Sequence, residues 1–265
     1  MLSRISPQLS NAVVIHDAAA LRHPEAYSHP YVAYQRRILP LIARRARLLM
    51  TVSQFSRAEL VELLGVPEDR VTVIPEGVDE RFAPGLDTGA VRERYGLSRP
   101  YVLAVGTASA RKNIDVLDQA ARALHERGID VVLAGSGRGY LRGGRSAIRP
   151  LGYVLDEQLP ALYAGARALA MPSRYEGFGL PCLEAMACGV PVVAAARGAI
   201  PETVGDAALL ANPDDADEFG EAVLSAATDH SSRAALIERG LRRAAAFPWS
   251  RTAATLDAAI DRVLH

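Results

Sequence analysis

The chain has 265 residues, of which 49% are hydrophobic, and its formal net charge at pH 7 is zero. This length suits one large or two modest packed domains, and the balanced charge gives no basis for a nucleic acid partner. No apolar run approaches the roughly 20 residues of a membrane span, and the first residues do not resemble a signal peptide. Cys182 and Cys188 fall on one predicted helix without other metal ligands nearby, so we predict reduced thiols and a cytoplasmic location.

A short apolar run over residues 12–15 predicts a strand that ends at His16 and Asp17. This position places an imidazole at the carboxyl edge of a sheet, where ligands of open α/β folds bind. A lone histidine there is more often a structural residue than a catalytic one. Its position alone therefore leaves both interpretations open.

Residues 31–47 predict a helix with an apolar stripe and a basic face. The basic face carries Arg36, Arg37, Arg44 and Arg45. Such a helix can lie on an anionic membrane surface, but an ordinary helix with a solvated face has the same pattern. We favour the ordinary helix and keep a peripheral contact at the inner face of the membrane as the alternative.

Two predicted strands, 48–52 and 71–74, enclose a predicted helix over 54–64. Ser53 is the expected N-cap of that helix because its side chain can accept a hydrogen bond from the first turn. The segment 75–85 is rich in proline and glycine. It predicts a linker to a second domain.

An apolar strand over 101–105 begins the second half and leads into a candidate anion-binding loop. The loop contains Gly106, Thr107, Arg111 and Lys112. Glycine and adjacent cations before a helix N-terminus make such a site. Lys112 is the only lysine in the chain, which indicates a need for a compact ammonium on a flexible stem. An exposed basic loop is the alternative.

The next predicted strand ends in a short Gly-rich turn that contains Gly135 and Gly137. Tyr140 stands where a dinucleotide fingerprint needs its last glycine, so the turn suits a nucleotide phosphate or ribose and not a dinucleotide. A later predicted strand end contains Tyr153 and Val154. We expect these residues near the same edge of the sheet.

Two carboxylates lie in a predicted strand–loop–helix–strand unit over 166–193. Glu176 follows the strand, and Glu184 is expected in the first turn of the helix that Pro181 opens. The loop supplies further candidate residues, namely Gly177, Phe178, Gly179 and Leu180. Glycines let a backbone approach a ligand, and an aromatic residue between two glycines has little reason to be there unless it packs over something.

Each carboxylate also has an ordinary explanation. The helix dipole favours an acidic residue in a first turn, and an acidic residue in a Gly-rich loop is compatible with solvation. Against this, Glu184 lies within an otherwise apolar segment, where an unpaired carboxylate would be costly.

The spacing E-G-F-G-L-P-C-L-E, from Glu176 to Glu184, resembles the donor-sugar signature of the retaining glycosyltransferases of family 4, which have the GT-B fold. The resemblance extends to V-G-T-x-x-x-R-K-N after the strand 101–105, to V-I-P-E-G-V-D in the linker, and to G-V-P-V-V downstream. It implies an α/β chain of two Rossmann-like, doubly wound domains. By this resemblance, residues 1–84 are the back half of an incomplete N-terminal, acceptor-side domain.

The same resemblance implies that residues 85–245 form the C-terminal domain, which binds the nucleotide sugar, and that 246–265 form a helix crossing back to the N-terminal domain. His16 matches a histidine that faces the donor sugar from the N-terminal domain. Glu176 would hold hydroxyls of the transferred sugar, and Glu184 the ribose hydroxyls.

The remaining implied contacts concern the diphosphate and the base. Thr107 stands where many relatives carry arginine, so the diphosphate would depend on Arg111 and Lys112. The base would lie against Tyr153 and Val154. The family implies a hexose, with mannose as the first choice, a GDP- or UDP-linked donor, a saccharide or lipid-linked acceptor, and no metal or other cofactor.

Two rival functions stay open. A glycoside hydrolase also uses two carboxylates, but it leaves the cationic loop unexplained. A nucleotide-binding module that lacks catalysis would retain the loop. The short first half of the chain is the reason to consider this second rival.

Overall fold

The computed structural model describes residues 12–107, 109–135 and 147–264, which contain two parallel β-sheets whose strands alternate with helices. The predicted α/β class is therefore confirmed. Gly137, one of the predicted contact residues, lies outside the described residues.

The first sheet has three strands in the order β1-β2-β3. Its elements are β1 Ala12–Val14, α1 Ala19–Arg22, α2 His29–Arg45, β2 Leu48–Thr51, α3 Gln54–Leu64 and β3 Val71–Val73, with short 3₁₀ turns at Pro24–Ala26 and Glu68–Arg70. Both strand pairings are parallel. The segments that follow β1, β2 and β3 therefore meet at one edge of this sheet.

Local sequence explains where the helices of this half begin and end. The Ser53 hydroxyl accepts a hydrogen bond from the Ser56 N–H at 2.9 Å, so Ser53 caps α3 as predicted. Gly65 ends α3 in the left-handed conformation, with φ 64°. Helix α2 begins two residues earlier than predicted, because Pro30 fits its first turn, where no N–H is needed.

The second sheet has six strands in the order β6-β5-β4-β7-β8-β9, and every pairing is parallel. Its strands are β4 Tyr101–Val105, β5 Asp130–Ala134, β6 Ile148–Gly152, β7 Ala168–Met171, β8 Val192–Ala195 and β9 Leu209–Ala211. Its helices are α4 Gly89–Arg94, α5 Asp118–Glu126, α6 Leu159–Ala164, α7 Leu180–Ala187, α8 Ile200–Val204, α9 Ala216–Thr228 and α10 His230–Ala245.

The direction of winding reverses between β4 and β7. Strands β5 and β6 lie on one side of β4, and β8 and β9 lie on the far side of β7. In an open α/β sheet this reversal leaves a crevice at the carboxyl ends of the two central strands, where ligands bind. The loops that follow β4 and β7 flank that crevice.

Two helices of this half begin after short irregular segments. The loop that carries Arg111 and Lys112 leads into a 3₁₀ turn, Ile114–Leu117, which is followed by α5. Asn113 has a left-handed backbone with φ 52°, so regular helix geometry cannot extend back into the loop. Helix α6, which follows Tyr153 and Val154, begins at Leu159 with Pro160 in its first turn.

The central strands of the second sheet are buried on both faces, as their apolar sequences predict. Cys182 and Cys188 are free thiols buried in the core beside this sheet. Burial raises the pKa of Cys188 to about 12, so the thiol is protonated at neutral pH.

The last helix, α11 Trp249–Leu264, packs on the first sheet. Its contact surface is apolar and joins Leu48, Met50, Ile74, Leu256, Ala259 and Ile260. Just before this helix, the Phe247 carbonyl accepts a hydrogen bond from the Val78 N–H at 2.8 Å. The two crossings between the halves of the chain therefore lie side by side.

Candidate functional site

The loops after β4 and β7 bring opposite charges together at the crevice. Lys112 Nζ lies 2.6 Å from Glu176 Oε1, and Arg111 Nη1 lies 3.4 Å from the same oxygen. Arg111 also donates a hydrogen bond to the Tyr175 carbonyl at 2.7 Å. We call Arg111, Lys112 and Glu176 the charged cluster. Three residues that sequence analysis placed in one site are therefore in contact.

The charged cluster is largely shielded from water. The side chains of Lys112 and Glu176 are each 12% exposed, and that of Arg111 is 18% exposed. Buried charges persist only when they are paired, so each of these groups depends on the others. With two cations to one carboxylate, the cluster carries a net positive charge. That charge suits an anionic ligand.

Gly106 makes room for the Lys112 stem. A Cβ atom at position 106 would lie 3.1 Å from Lys112 Cε, and the Gly106 φ of 136° is a conformation that favours glycine. The branched guanidinium of arginine is bulkier at its end than an ammonium. The single lysine of the chain therefore lies where a narrow side chain is needed.

The glycines at the strand ends serve the fold first. A Cβ at Gly135 would lie 2.1 Å from the Gly106 carbonyl oxygen. The Gly106 N–H donates to the Ala134 carbonyl, and the Gly135 N–H donates to the Gly152 carbonyl. These N–H groups are therefore engaged in the sheet, and the predicted phosphate contacts of Gly106 and Gly135 stay predictions. Thr107 is exposed at the start of the loop.

Tyr153 and Val154 have different environments. The Tyr153 side chain is exposed beyond the end of β6, whereas Val154 is buried in the core. An exposed ring is available for stacking on a planar base, and a buried valine is not. Their contact with the base stays a prediction, and of the two residues only Tyr153 has an exposed side chain.

Residues of the first half of the chain bind the loop that carries Glu176. The Gly177 carbonyl accepts hydrogen bonds from the hydroxyls of Ser53 at 2.6 Å and Ser56 at 3.0 Å. A Cβ at Gly177 would lie 2.6 Å from the His16 carbonyl oxygen, so only glycine permits this approach. Glu176 is thus held from both halves of the chain.

Tyr175, in the same loop, adds aromatic contacts with the first half of the chain. Its ring makes edge contacts with His23 and Phe55, both from the first half, with centroids 5.3 Å and 5.5 Å away. Its hydroxyl accepts a hydrogen bond from the Ala18 N–H at 3.3 Å. Tyr175 was not among the predicted site residues, although it is adjacent to Glu176 in the sequence.

The Phe178 side chain does not face the crevice as an exposed ring. It is buried and makes an edge contact with Phe247, with centroids 5.9 Å apart. The ring therefore packs on the protein core and not on a ligand, so any ligand contact of Phe178 would come from its backbone. Gly179 next to it has φ 98° and precedes Leu180, the first residue of α7.

Glu184 lies in the second turn of α7, not in the first turn as predicted, because the helix begins at Leu180. The helix dipole therefore does not explain this carboxylate. Glu184 accepts a hydrogen bond from the Tyr163 hydroxyl at 2.8 Å, and burial raises its pKa. Tyr163, which sequence analysis missed, is fully buried beneath it.

His16 lies on the opposite side, at the edge of the first sheet. Its side chain is 65% exposed, and Nδ1 lies 2.9 Å from Glu76 Oε1. Glu76 belongs to the segment predicted as a linker, so sequence analysis gave it no role. The acidic residue in P-E-G-V-D was the available signal.

No described helix is long and apolar enough to cross a membrane. Within the described ranges, no three histidine, cysteine, aspartate or glutamate side chains come together in a way that could hold a metal ion.

Comparison with known proteins identifies both halves. Residues 99–229 match the family model described as glycosyl transferases group 1, and residues 11–82 match the model described as glycosyltransferase family 4. The chain is 40% identical over 269 residues to O-antigen chain mannosyltransferase B of Escherichia coli, covering 95% of this chain and 70% of that protein.

A second relative is the GDP-mannose-dependent alpha-(1-6)-phosphatidylinositol monomannoside mannosyltransferase of Mycolicibacterium smegmatis. It is 39% identical over 191 residues, covering 64% of this chain and 50% of that protein. The chain thus spans 70% of the length of the first relative and about half the length of the second.

Solved structures share the fold. Anabaena HepE in complex with UDP and glucose superposes with a TM-score of 0.79 at 22% identity, covering 95% of this chain and 72% of that chain. Sucrose-phosphate synthase from Thermosynechococcus elongatus superposes with a TM-score of 0.76 at 24% identity, covering 95% and 67%. With the mannosyltransferase relatives and the two family models, these similarities show that the chain belongs to the family 4 glycosyltransferases of the GT-B fold.

Proposed function

We propose that the chain transfers a hexose, with mannose as the first candidate, from a GDP- or UDP-linked donor to a saccharide or lipid-linked acceptor, with retention of configuration and without a metal ion. The observation that carries this proposal is the charged cluster of Arg111, Lys112 and Glu176 at the crevice of the second sheet. The mannosyltransferase relatives support the choice of sugar.

The two cations suit the leaving group. As the bond to the sugar breaks, negative charge grows on the diphosphate, and fixed positive groups in a dry crevice stabilise that charge most strongly. Arg111 and Lys112 are fixed by their bonds to Tyr175 and Glu176. They would supply the charge compensation that a metal ion gives in other transferases.

The carboxylates suit the sugar and the ribose. Glu176 has two oxygens, and its Oε1 atom holds both cations. Its remaining acceptor capacity would receive hydroxyls of the transferred sugar, and its charge would favour an oxocarbenium-like transition state. Glu184 would receive the ribose hydroxyls beside the Tyr163 hydroxyl.

The acceptor would approach from the first sheet. A cleft of about 250 Å³ lies beside His16, and its walls include Tyr27 and Tyr31. These two rings stack with centroids 5.6 Å apart. Aromatic faces with adjacent polar groups suit a saccharide, which presents both apolar and hydroxyl surfaces.

Titration calorimetry with GDP, UDP and their sugars tests the donor site. Lys112→Ala removes a charge-assisted contact of about 1.5–3 kcal/mol, so we expect affinity to fall roughly tenfold to a hundredfold. Arg242→Ala is the matched control, because Arg242 lies in an exposed ion pair with Glu238 on α10. Equal affinities in the parent, Lys112→Ala and Arg242→Ala proteins would contradict the site.

Product analysis separates the rival functions. A transferase consumes the nucleotide sugar in the presence of acceptor, and NMR of the product gives the anomeric configuration. Turnover that survives exhaustive treatment with a chelator supports metal independence. Hydrolysis of oligosaccharides without nucleotide binding would identify a glycoside hydrolase. Nucleotide binding without turnover would identify a non-catalytic module.

We also propose a peripheral membrane contact through α2. The arginines at 36, 37, 44 and 45 are exposed, as are Tyr34 and Leu41. A basic face with interspersed aromatic and apolar side chains suits an anionic bilayer surface. We expect the chain to sediment with vesicles containing anionic lipid and not with neutral vesicles, and replacement of the four arginines by glutamine to abolish sedimentation.

A further inference from the structure

Glu76 and His16 meet across the carboxyl edge of the first sheet. His16 follows β1, Glu76 follows β3, and β2 lies between these strands. His16 Nδ1 lies 2.9 Å from Glu76 Oε1, although sixty positions separate the residues in sequence. The Glu76 side chain is 20% exposed, far less than the histidine ring.

The adjacent acid in the I-H-D sequence is not the partner of the imidazole. Asp17 Oδ1 accepts a hydrogen bond from the Ala19 N–H at 2.9 Å and so closes the turn that begins α1. The pairing with Glu76 is therefore a product of the fold and not of sequence proximity.

The backbone on both sides of Glu76 is fixed. The Pro75 carbonyl accepts a hydrogen bond from the Thr252 hydroxyl at 2.7 Å. A Cβ at Gly77 would lie 2.7 Å from the backbone N and Cα atoms of Trp249, so this glycine is pressed against the start of α11. A carboxylate carried by so constrained a segment has few positions open to it.

An ionised carboxylate only accepts hydrogen bonds, so the proton in this contact belongs to Nδ1 of the ring. The neutral imidazole then keeps its lone pair on Nε2. Without the contact, an exposed imidazole can rotate and exchange between its two tautomers.

We infer that Glu76 is a positioning residue, which holds His16 as the Nδ1–H tautomer and presents Nε2 as a hydrogen-bond acceptor for a hydroxyl of the transferred sugar. This inference rests on the proposed function, since it assumes that His16 faces the donor. Glu76 then orients the sugar through His16 and does not bind the nucleotide. No atom is transferred to or from Glu76.

Nitrogen-detected NMR of the imidazole rings tests the tautomer without any activity assay. In alkaline buffer the rings are neutral, and the two ring nitrogens give separate signals for each tautomer. His16→Gln identifies the His16 signals. We expect the Nδ1–H pattern in the parent and a shift towards the Nε2–H pattern in Glu76→Ala. Glu76→Gln keeps an oxygen acceptor and should retain the parent pattern.

A matched control is available in the chain. His23 Nδ1 lies 3.1 Å from Glu25 Oε1, a similar pair at the surface. Glu25→Ala should leave the His16 signals and the turnover unchanged.

Steady-state kinetics test the consequence for transfer. Small misplacement of an orienting group can lower turnover by about a hundredfold. We expect kcat of Glu76→Ala to fall roughly tenfold to a hundredfold, with an unchanged Kd for the nucleotide and substantial recovery in Glu76→Gln.

An Nε2–H pattern for His16 in the parent protein would overturn the inference, whether or not the variants fold. So would equal kcat in Glu76→Ala and parent, or an equal loss of nucleotide affinity and kcat. Absence of nucleotide binding in the parent would instead refute the proposed donor site. The NMR measurement of the His16 tautomer does not require nucleotide binding, so its result would not depend on that outcome.

Discussion

The two halves of the chain hold their charged side chains in different ways. On the second sheet, Lys112 and Glu176 are mostly buried and form their ion pair at 2.6 Å. On the first sheet, His16 is exposed and contacts one carboxylate, that of Glu76. When a buried charge loses its partner, no water is available to solvate it. When an exposed imidazole loses its partner, water takes that partner's place. Substitutions in the charged cluster should therefore affect stability and function together, and substitutions at Glu76 should affect function alone.

Glu176→Ala should have the largest effect. It leaves Arg111 and Lys112 without their shared carboxylate, and removal of one partner from a buried pair costs about 3 kcal/mol or more. We expect the free energy of unfolding, measured with urea, to fall by that amount, with loss of transfer activity.

Glu238→Ala is the control for this experiment, since Glu238 lies in an exposed ion pair with Arg242. Its cost should stay below about 1 kcal/mol. Similar values for Glu176→Ala and Glu238→Ala would show that the charged cluster behaves as a surface pair, and would contradict the contrast between the two halves of the chain.

Gly177→Ala should be next in size. The new methyl group would lie 2.6 Å from the His16 carbonyl oxygen and 2.9 Å from Asp17 Cβ, so the two halves must separate locally. Overpacking of this kind costs about 1–3 kcal/mol. We expect reduced stability in calorimetry and a reduced kcat, because the hydrogen bonds from Ser53 and Ser56 that position the Glu176 loop would be disturbed.

Gly220→Ala serves as the comparison. It lies inside α9, and its Cβ would be in ordinary contact, 3.6 Å from Ala120 Cβ. Alanine in a helix is favoured over glycine by up to about 1 kcal/mol, so stability should hold or rise. If Gly177→Ala is equally well tolerated, the close approach between the two halves is not a constraint.

Glu202→Ala should have a smaller effect. The Glu202 carboxylate, carried by α8, accepts hydrogen bonds from the Gln54 and Phe55 N–H groups at 2.8 Å and 3.1 Å. It therefore caps α3 of the other half of the chain. Loss of a helix cap costs about 1 kcal/mol. Urea unfolding measures this cost, and a loss as large as that of Glu176→Ala would show that Glu202 does more than cap one helix.

Glu184→Gln should give the smallest change in stability, and the change should be a gain. Burial raises the pKa of Glu184, so ionisation is less favourable in the folded chain than in the unfolded chain. The carboxyl group therefore costs no stability in acid, below its unfolded pKa, and destabilises progressively as the pH rises through the folded pKa. Glutamine removes that cost and can still accept from Tyr163.

Unfolding of parent and Glu184→Gln chains across a pH series measures this effect. The variant should be more stable at neutral pH, and the difference should vanish in acid. Glu238→Gln, at an exposed position, should show no such pH-dependent gain. Nucleotide affinity should fall in Glu184→Gln, since an amide accepts ribose hydroxyls less strongly than a carboxylate. A pH-independent difference would contradict the role of burial.

Much of the site could be predicted because its chemistry lies in short segments. Arg111 and Lys112 precede a helical turn, and Glu176 follows a buried strand, so parallel strand order alone brings them to one edge. Glu184 could be predicted as a candidate, but the helical turn that carries it could not. A shift of the helix start by one residue, from Pro181 to Leu180, moves Glu184 out of the first turn. Such boundaries depend on local backbone geometry.

The residues that sequence analysis missed act over long distances along the chain. Tyr163 contacts Glu184 from another helix, and Glu76 reaches His16 from the segment between the two sheets. Phe178 was expected near a ligand, but it packs on Phe247, which comes from the far end of the second half. Nothing in the immediate sequence distinguishes these partners from ordinary polar or aromatic residues.

By itself, the sequence determined most of the strands and helices along the chain, and the acids and cations available at the strand ends. Those properties follow from hydrophobic periodicity and turn residues, which act over a few positions. Only the tertiary structure decided which groups pair: Lys112 with Glu176, His16 with Glu76, and the Gly177 backbone with the first sheet. Pairing depends on distances set by the packing of both halves, and no local pattern contains those distances.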